Sequence, residues 1–246
     1  MTLIRANKRI IGIDIGGSKT RAVLWDGKKV LATQQVKMPA RLSDFRKEII
    51  KLITWKPGFQ VDQIGIGAAG IISGTKIVSS PNIKYLRDFD FAKLLGVRDA
   101  KLRLGNDAQC FARSVIGSAN GKLFKNKTIL AVTLGTGIGR GLAKNGKIQK
   151  IKAFEYPESW EKEYQKMRGK PKAVMSAEFA DFLAEHLAPI AKKYNANAVV
   201  FGGGVTDRSG FWKRVKEAFK QRGWKGNLSI SHLGKNAVAV GAALLK

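Results

Sequence analysis

The sequence predicts an α/β protein made of two similar halves, and three observations carry that prediction. First, two glycine-rich stretches more than a hundred residues apart read as copies. Asp14-Ile-Gly-Gly-Ser-Lys-Thr20 runs on to Arg21 and Asp26-Gly27, and Thr133-Leu-Gly-Thr-Gly-Ile-Gly139 runs on to Arg140 and Asn145-Gly146. They align without a gap, Gly16 on Gly135, Arg21 on Arg140 and Gly27 on Gly146. Each copy has an apolar strand, a Gly/Ser/Thr turn, a second strand and an Asp-Gly or Asn-Gly hairpin signal. Second, residues 8–70 follow the order β-β-β-α-β, so each copy opens a βββαβ-type half. Third, no low-complexity linker separates the halves, which places the boundary near Asp107–Ala119, inside a helix. The expected domains are residues 1–108, with a closing helix over 237–246 packed on them, and residues 109–236. A repeat of this kind predicts two Gly-rich turns facing each other across a cleft, able to hold one polyphosphate between them.

The elements follow in order. Lys8-Arg9 lead into the strand Ile10–Asp14, and further strands are expected near Thr20–Trp25 and Lys29–Lys37. Leu42 to Trp55 has apolar residues at helical spacing, with Ser43 as an N-cap. Gln63 to Gly70 is a short buried strand entering a glycine loop. Leu102 to Asp107 is a strand ending in two polar residues, and Ala108 to Ile116 continues as a helix. After a break at Asn120-Gly121 the second hairpin begins near Thr128. Ser176 to Tyr194 is an amphipathic helix with Phe179, Leu183, Leu187 and Ile190 on one side. Ala198–Phe201 is a strand entering Gly202-Gly-Gly204. Phe211–Phe219 is helical, Leu228–Ser231 is a strand, and Ala237–Leu245 is the closing helix.

Composition narrows the function classes. No apolar run reaches the roughly 20 residues that span a bilayer, and residues 1–9 have no signal-peptide pattern. One cysteine, Cys110, leaves no intramolecular disulfide and no cysteine-based zinc site, so a reducing cytoplasm is the expected compartment. The net charge is +27, from 45 Lys and Arg against 18 Asp and Glu, with an isoelectric point near 10.4. Such a field attracts polyanions. Nucleic acid is one such partner, but no helix-turn-helix, zinc-finger or RNP pattern accompanies the charge. The remaining readings are a generally basic proteome or a polyanionic substrate such as ATP or polyphosphate.

Glycines let a backbone approach phosphates and aim N–H groups at them. Gly16, Gly17, Ser18 and Thr20, with Lys19 in the same turn, would take one end of a phosphate chain, and Gly135, Thr136 and Gly137 the other. Lys19 is not a Walker lysine, because the Gly-x-x-x-x-Gly-Lys-[Ser/Thr] spacing is absent. Asp107 is a carboxylate at a strand end before an apolar helix, placed for a base beside an attacking hydroxyl; the plainer alternative is an N-cap. Asp14 ends a strand beside the phosphate turn, where it could equally cap its own loop.

In this order the motifs resemble the ROK family of sugar kinases, within the actin/hexokinase-like ATPase superfamily. The matching pieces are Asp14–Thr20, Gly65–Gly70, Pro81-Asn82, Gly105-Asn-Asp-Ala108, Thr133–Gly137, Gly202–Gly204 and Ala239–Ala242. The resemblance implies a two-domain actin-like (ribonuclease H-like) ATPase fold. It also implies phosphoryl transfer from ATP, or from polyphosphate as in the compact zinc-free branch, to a hexose hydroxyl, glucose-like by default. It makes Asp107 the catalytic base, Asn106 a sugar ligand, and Asn82 and Gly70 neighbours of the sugar. Asp14 would place Mg²⁺, and Gly203 and Gly204 would pack against adenosine. Gly241, Ala242 and Ala243 are read as structural, and a homodimer is the family expectation.

The resemblance fails at one place. Many members carry Glu-x-Gly-His after the second hairpin, its Glu and His binding sugar, and zinc-containing members add three cysteines. Here the chain reads Phe154-Glu-Tyr-Pro-Glu-Ser-Trp160, and Glu155 is the nearest counterpart of that glutamate. His186 is expected to be a partly exposed helix residue, and no structural zinc is expected. The first strand starts near residue 9, without the preceding winged helix of the family's repressors. Two other readings stay beside the kinase: a non-catalytic or regulatory binding protein on the same fold, and a basic nucleic-acid-binding protein resting on charge alone.

Overall fold

The computed structural model describes residues 9–55, 61–96, 101–170 and 172–246; the lead-in at Lys8 lies outside them. The chain forms two compact units, residues 1–110 with 238–246, and residues 111–237.

The first unit is built on a five-stranded sheet in the order β3-β2-β1-β4-β8. Its early elements are β1 (Ile10–Ile15), β2 (Lys19–Trp25), β3 (Val30–Lys37), α1 (Leu42–Thr54) and β4 (Gln63–Ala68). There follow β5 (Ile71–Ser73), β6 (Lys76–Ser79), β7 (Phe89–Asp90), α2 (Phe91–Leu95), β8 (Leu102–Asn106) and α3 (Asp107–Gly117). β1 pairs antiparallel with β2 and parallel with β4, and β4 pairs parallel with β8. α1 starts one residue before the expected cap: Arg41, not Ser43, is the N-cap, and it makes no side-chain cap hydrogen bond. The helix is set instead by burial of Phe45, Ile49 and Leu52 in a core with Ile11, Ile13, Ile66 and Phe91.

The opposite face of this sheet takes the chain's end. α7 (Ala237–Ala243) lies so close that a Cβ on Gly12 would stand 2.0 Å from the Ala239 carbonyl oxygen, and one on Gly65 would stand 1.9 Å from that of Ala242. Only glycine admits that approach. Gly241 of the helix meets the Cys110 carbonyl in the same way, so the closing Gly-Ala-Ala run is structural.

The second unit repeats the plan as β11-β10-β9-β12-β13. Its strands are β9 (Thr128–Leu134), β10 (Ile138–Lys144), β11 (Lys147–Gln149), β12 (Ala198–Gly202) and β13 (Asn227–Ile230), and its helices α4 (Glu161–Arg168), α5 (Ala177–Lys193) and α6 (Phe211–Gln221). Ser176 caps α5, its hydroxyl accepting from the Phe179 N–H. Leu183, Leu187, Val215 and Phe219 from α5 and α6 bury Leu130, Val132 and Phe201 of the sheet.

The two copies are not in the same register. In the first hairpin Asp14 faces Arg21 and Ile15 faces Thr20, leaving residues 16–19 as the turn. In the second, Leu134 faces Ile138 and Arg140 faces Val132, so the turn is only Gly135–Gly137. The gapless alignment of Arg21 with Arg140 therefore fails by one residue. At the far end the copies differ in compensation. Asn145 (φ 51°) and Gly146 (φ 71°) form a two-residue turn with both positions left-handed, the preferred hairpin geometry. Trp25 instead faces Val30 across residues 26–29, and Asp26 closes that wider loop by accepting from the Lys28 and Lys29 N–H groups at 2.7 Å each.

Candidate active site

In the first unit the sheet register gathers the acidic candidates. Asp14 pairs with Gly67 on β4, and Gly67 pairs with Gly105 on β8. Two residues beyond Gly105, on the same face, Asp107 opens α3. Gly67 and Gly105 have no side chains of their own, and Cys110, Val238 and Leu245 pack over them. Burial, followed by the Asp107 charge, pushes the Asp14 carboxyl up to about 7 from an ordinary 3.8, against a smaller opposing pull from Arg21. Burial also raises the Asp107 carboxyl, opposed by hydrogen bonds from the Ala108 N–H and its own. Asp14 lies within β1, so it is not a turn residue capping its own loop.

Asn106 does the capping that Asp107 might have done. Its Oδ1 accepts from the Ala108 N–H at 3.0 Å and the Gln109 N–H at 3.2 Å. Its Nδ2 donates to the Gly70 carbonyl at 3.2 Å. Asp107 Oδ1 accepts from Ala108 as well, at 2.8 Å. Gly70 has φ 122°, and a Cβ there would lie 2.0 Å from the Ser79 carbonyl oxygen. The loop after β4 is thus pressed against the end of β6. Asn82, three residues past Ser79, is exposed in the loop that continues from it. Asp14, Gly70, Asn106 and Asp107 therefore converge at the carboxyl ends of β1, β4 and β8, where ligands sit in open α/β sheets.

The first turn is closed by the Gly16 N–H donating to the Lys19 carbonyl at 3.0 Å, and the Ser18 carbonyl accepts from Met38 N–H at 3.0 Å. Gly17 and Ser18 lie in the turn, Lys19 is exposed, and Thr20 is buried with its hydroxyl oxygen lacking a hydrogen-bond partner.

In the second unit the Gly135 N–H donates to the Gly137 carbonyl at 3.0 Å across Thr136. Nothing lies within 4 Å of a Cβ built on Gly137 or Gly204. Gly203 (φ 94°) lies against Leu134, and the Val205 N–H donates to the Leu134 carbonyl at 3.2 Å. The second glycine turn and the Gly203–Gly204 loop are thus neighbours. Tyr164 of α4, fully buried, donates to the Gly135 carbonyl at 3.0 Å, and burial pushes its hydroxyl pKa up. That anchor was not assigned from sequence; its signal was the apolar face of the Trp160–Tyr164 stretch.

Glu155 is exposed in a short 3-10 turn, Lys152–Glu155. The ordered acid of that region is another. Arg140, 2% exposed, donates to Glu158 and Glu161 carboxylates and to the Tyr156 carbonyl. The Phe154 and Trp160 rings lie 5.4 and 5.9 Å from its guanidinium carbon. Trp160 stacks on the partly exposed His186, with ring centroids 4.7 Å apart. Among the described residues no cluster of three or more His, Cys, Asp or Glu is placed to hold a metal, and no helix is long and apolar enough to cross a membrane.

Comparison with known proteins fits this geometry. The chain is 28% identical over 144 residues to a glucokinase of Streptomyces coelicolor, an alignment covering 57% of this chain and 45% of the relative. It is 31% identical to an N-acetyl-D-glucosamine kinase of Haemophilus influenzae, over 56% of this chain and 46% of the relative. These matches span less than half the length of the curated relatives. Its fold matches a ROK family glucokinase from Streptomyces griseus, solved with glucose and AMPPNP. That match has a TM-score of 0.78 and 22% identity and covers 96% of this chain and 99% of the other. An inorganic polyphosphate/ATP-glucomannokinase from Arthrobacter sp. strain KM gives a TM-score of 0.77 at 22% identity over 97% and 98%. The fold is thus the actin-like one expected of such kinases. The ROK family profile itself matches residues 10–151, from the first strand through the second hairpin, and the chain belongs to the ROK family.

Proposed function

We propose that the protein is a sugar kinase that transfers the terminal phosphoryl group of ATP or polyphosphate to a hexose hydroxyl, glucokinase-like. The observation that carries this reading is the Asp14–Asp107 pair beside the Asn106–Gly70 link, in a chain of this family. Burial raises the Asp107 carboxyl above its ordinary value, which suits a base that takes the proton of an attacking alcohol. Asn106 shares the capping of its helix start, while Asp107 Oδ1 accepts from the Ala108 N–H. Asn106 keeps one amide hydrogen beyond its bond to Gly70, enough to orient a hydroxyl. Gly70 precedes β5 and Asn82 follows β6, at the paired ends Ile71 and Ser79 of that hairpin. The Gly16–Thr20 and Gly135–Gly137 turns would face the phosphates, and the Gly203–Gly204 loop beside the second turn would face adenosine.

The donor set suits Mg²⁺. That ion is held by one or two carboxylates together with substrate phosphates rather than by an all-protein cage, and here Asp14 and Asp107 offer two carboxylates, the first raised by burial and, second, by the charge of the other. Asp14 would hold the ion, which supplies neutralisation of charge on the transferring group. Structural zinc has no ligand cluster among the described residues, and none is proposed. We also infer a cytoplasmic homodimer, on the family's habit and the single buried Cys110.

The second reading, a non-catalytic binding protein, draws on the exposed Glu155 where the family has Glu-x-Gly-His. One assay decides between them: coupled phosphorylation across common hexoses and N-acetylhexosamines, with ATP and with polyphosphate. Turnover with any sugar supports the kinase. Binding of sugar without turnover under either donor sinks it.

A further inference from the structure

The excess positive charge is not spread evenly over the second unit. Four connections meet at one end of its sheet: the segments before β9, between β10 and β11, between α5 and β12, and between α6 and β13. They are tied together by backbone. The Asn145 N–H donates to the Lys127 carbonyl at 3.1 Å, the Asn197 N–H to Thr128 at 2.7 Å, and the Asn227 N–H to Asn197 at 2.9 Å. Residues 121–128, 144–147, 191–198 and 220–227 contain ten Lys or Arg and no Asp or Glu. Lys125, Lys144, Lys147, Lys193 and Lys225 are exposed, and none of these five is in an ion pair among the described residues. Arg222 is the exception, held by Asp181 and Glu185. The Gly135–Gly137 turn lies at the other end of β9 and β10, about 20 Å away by strand rise.

We propose that this basic rim is a docking surface for linear phosphate chains of the inorganic polyphosphate type, separate from the glycine turn. Juxtaposed lysines with no acid among them attract closely spaced anionic charge in a way that one isolated lysine does not. The chemistry of the rim selects the partner. Lysine ammoniums grip phosphates as point charges, whereas base recognition calls on arginine forks and aromatic platforms. The one arginine of the rim is engaged with carboxylates, and Phe124, Tyr194 and Trp224 in these connections are half-buried rather than presented as stacking faces. A phosphate chain without bases fits that surface better than a nucleic acid does. The surface is independent of the kinase reading, since a bound chain need not be a donor.

The test is binding of long-chain polyphosphate, measured by competition fluorescence at several salt concentrations, on three proteins. The rim variant carries Lys125→Gln, Lys144→Gln, Lys147→Gln and Lys193→Gln. The control carries Lys28→Gln, Lys29→Gln, Lys47→Gln and Lys84→Gln, four exposed lysines of the first unit with the same change in net charge. Asp107→Asn, untouched at the rim, separates this proposal from the kinase reading and is expected to bind as the wild type does. The rim variant is expected to lose tenfold or more in affinity and to show a shallower salt dependence; the control is expected to lose less than threefold. Equal losses in the two lysine variants would mean that net charge alone binds the chain, and overturn the surface. Tighter binding of RNA or duplex DNA than of polyphosphate at equal charge would also overturn it. Should the quadruple rim variant melt early, Lys144→Gln with Lys147→Gln, confined to one exposed hairpin, gives the same comparison against Lys28→Gln with Lys29→Gln.

Discussion

Replacing Asp14 with Asn should stabilise the protein while removing its activity, and the gain should depend on pH. The native carboxyl titrates near 7 and the unfolded one near 3.8. Between those values the native chain holds a proton that the unfolded chain has released. Stability is therefore fully present below the unfolded value and is lost as pH rises through about 7. The slope is about 1.4 kcal/mol per pH unit, so the loss approaches roughly 4 kcal/mol at pH 8 and is only about 1.6 kcal/mol at pH 5. Asn keeps the shape without the charge, so Asp14→Asn should exceed the wild type by up to roughly 4 kcal/mol at pH 8 and by much less at pH 5. Urea unfolding of both proteins at the two pH values measures the difference directly. A gain of equal size at both, or a loss at pH 8, would show that Asp14 is not held protonated by its surroundings and would remove the electrostatic basis assigned to the pair.

Three other outcomes follow from the same geometry. Asp107→Asn should fold normally, because Asn106 caps α3 and the new amide oxygen can still accept from Ala108, while turnover falls by about 10²–10⁴; melting curves and single-turnover rates check both halves of this. Gly65→Ala should destabilise the first unit by about 1–3 kcal/mol or more, since the added carbon meets the Ala242 carbonyl of α7 rather than a side chain that can turn away, and chemical denaturation reads it. Arg140→Met should cost about 3–5 kcal/mol by leaving Glu161 buried beside no cation, with the loss shrinking as pH falls, because burial raises that carboxyl and protonation removes the unpaired charge; adding Glu161→Gln should recover part of it.

Much of this molecule was legible in its sequence because its signals are local. Apolar runs of strand length between Gly-rich turns located β1, β4, β9 and β12. The Asn-Asp pair at the end of an apolar strand marked a place where a helix cap and a carboxylate occur together. What escaped was set by packing or by non-local pairing. The small β5-β6-β7 sheet went unassigned although Gly74, at φ 56°, sits between two β-branched runs, a hairpin signal too short to stand out. Ser43 was read as a cap on residue type, but α1 is placed by its buried face. The one-residue slip between the hairpins could not be seen either, because both copies have the same length from turn to turn. The first absorbs its longer glycine turn with an irregularity at Leu24/Trp25.

That slip separates what the two halves can do. Register carries Ile10 to Ile129, Gln63 to Ala198 and Leu102 to Leu228. Continued along the strands, the same correspondence carries Asp14 to Thr133 and Asp107 to Leu233, so neither carboxylate has an acidic counterpart in the second unit. Arg21 stays on the face of Asp14 and moderates its charge. Arg140 has moved to the opposite side of its strand, faces Val132, and is committed to Glu158 and Glu161. One half therefore has acids beside its glycine turn, where, on the proposed function, a cation would offset them before an anionic donor approached. The other has a shorter glycine turn with Thr133 and Leu233 at the corresponding positions. On the proposed function, proton and metal chemistry would belong to the first unit, and donor grip would be shared, with the second unit's share free of nearby carboxylates at the Asp14 and Asp107 positions. Restoring an acid by Thr133→Asp should accordingly weaken the donor more than the sugar: a raised KM for ATP at unchanged sugar KM supports the division, and equal effects on both would refute it.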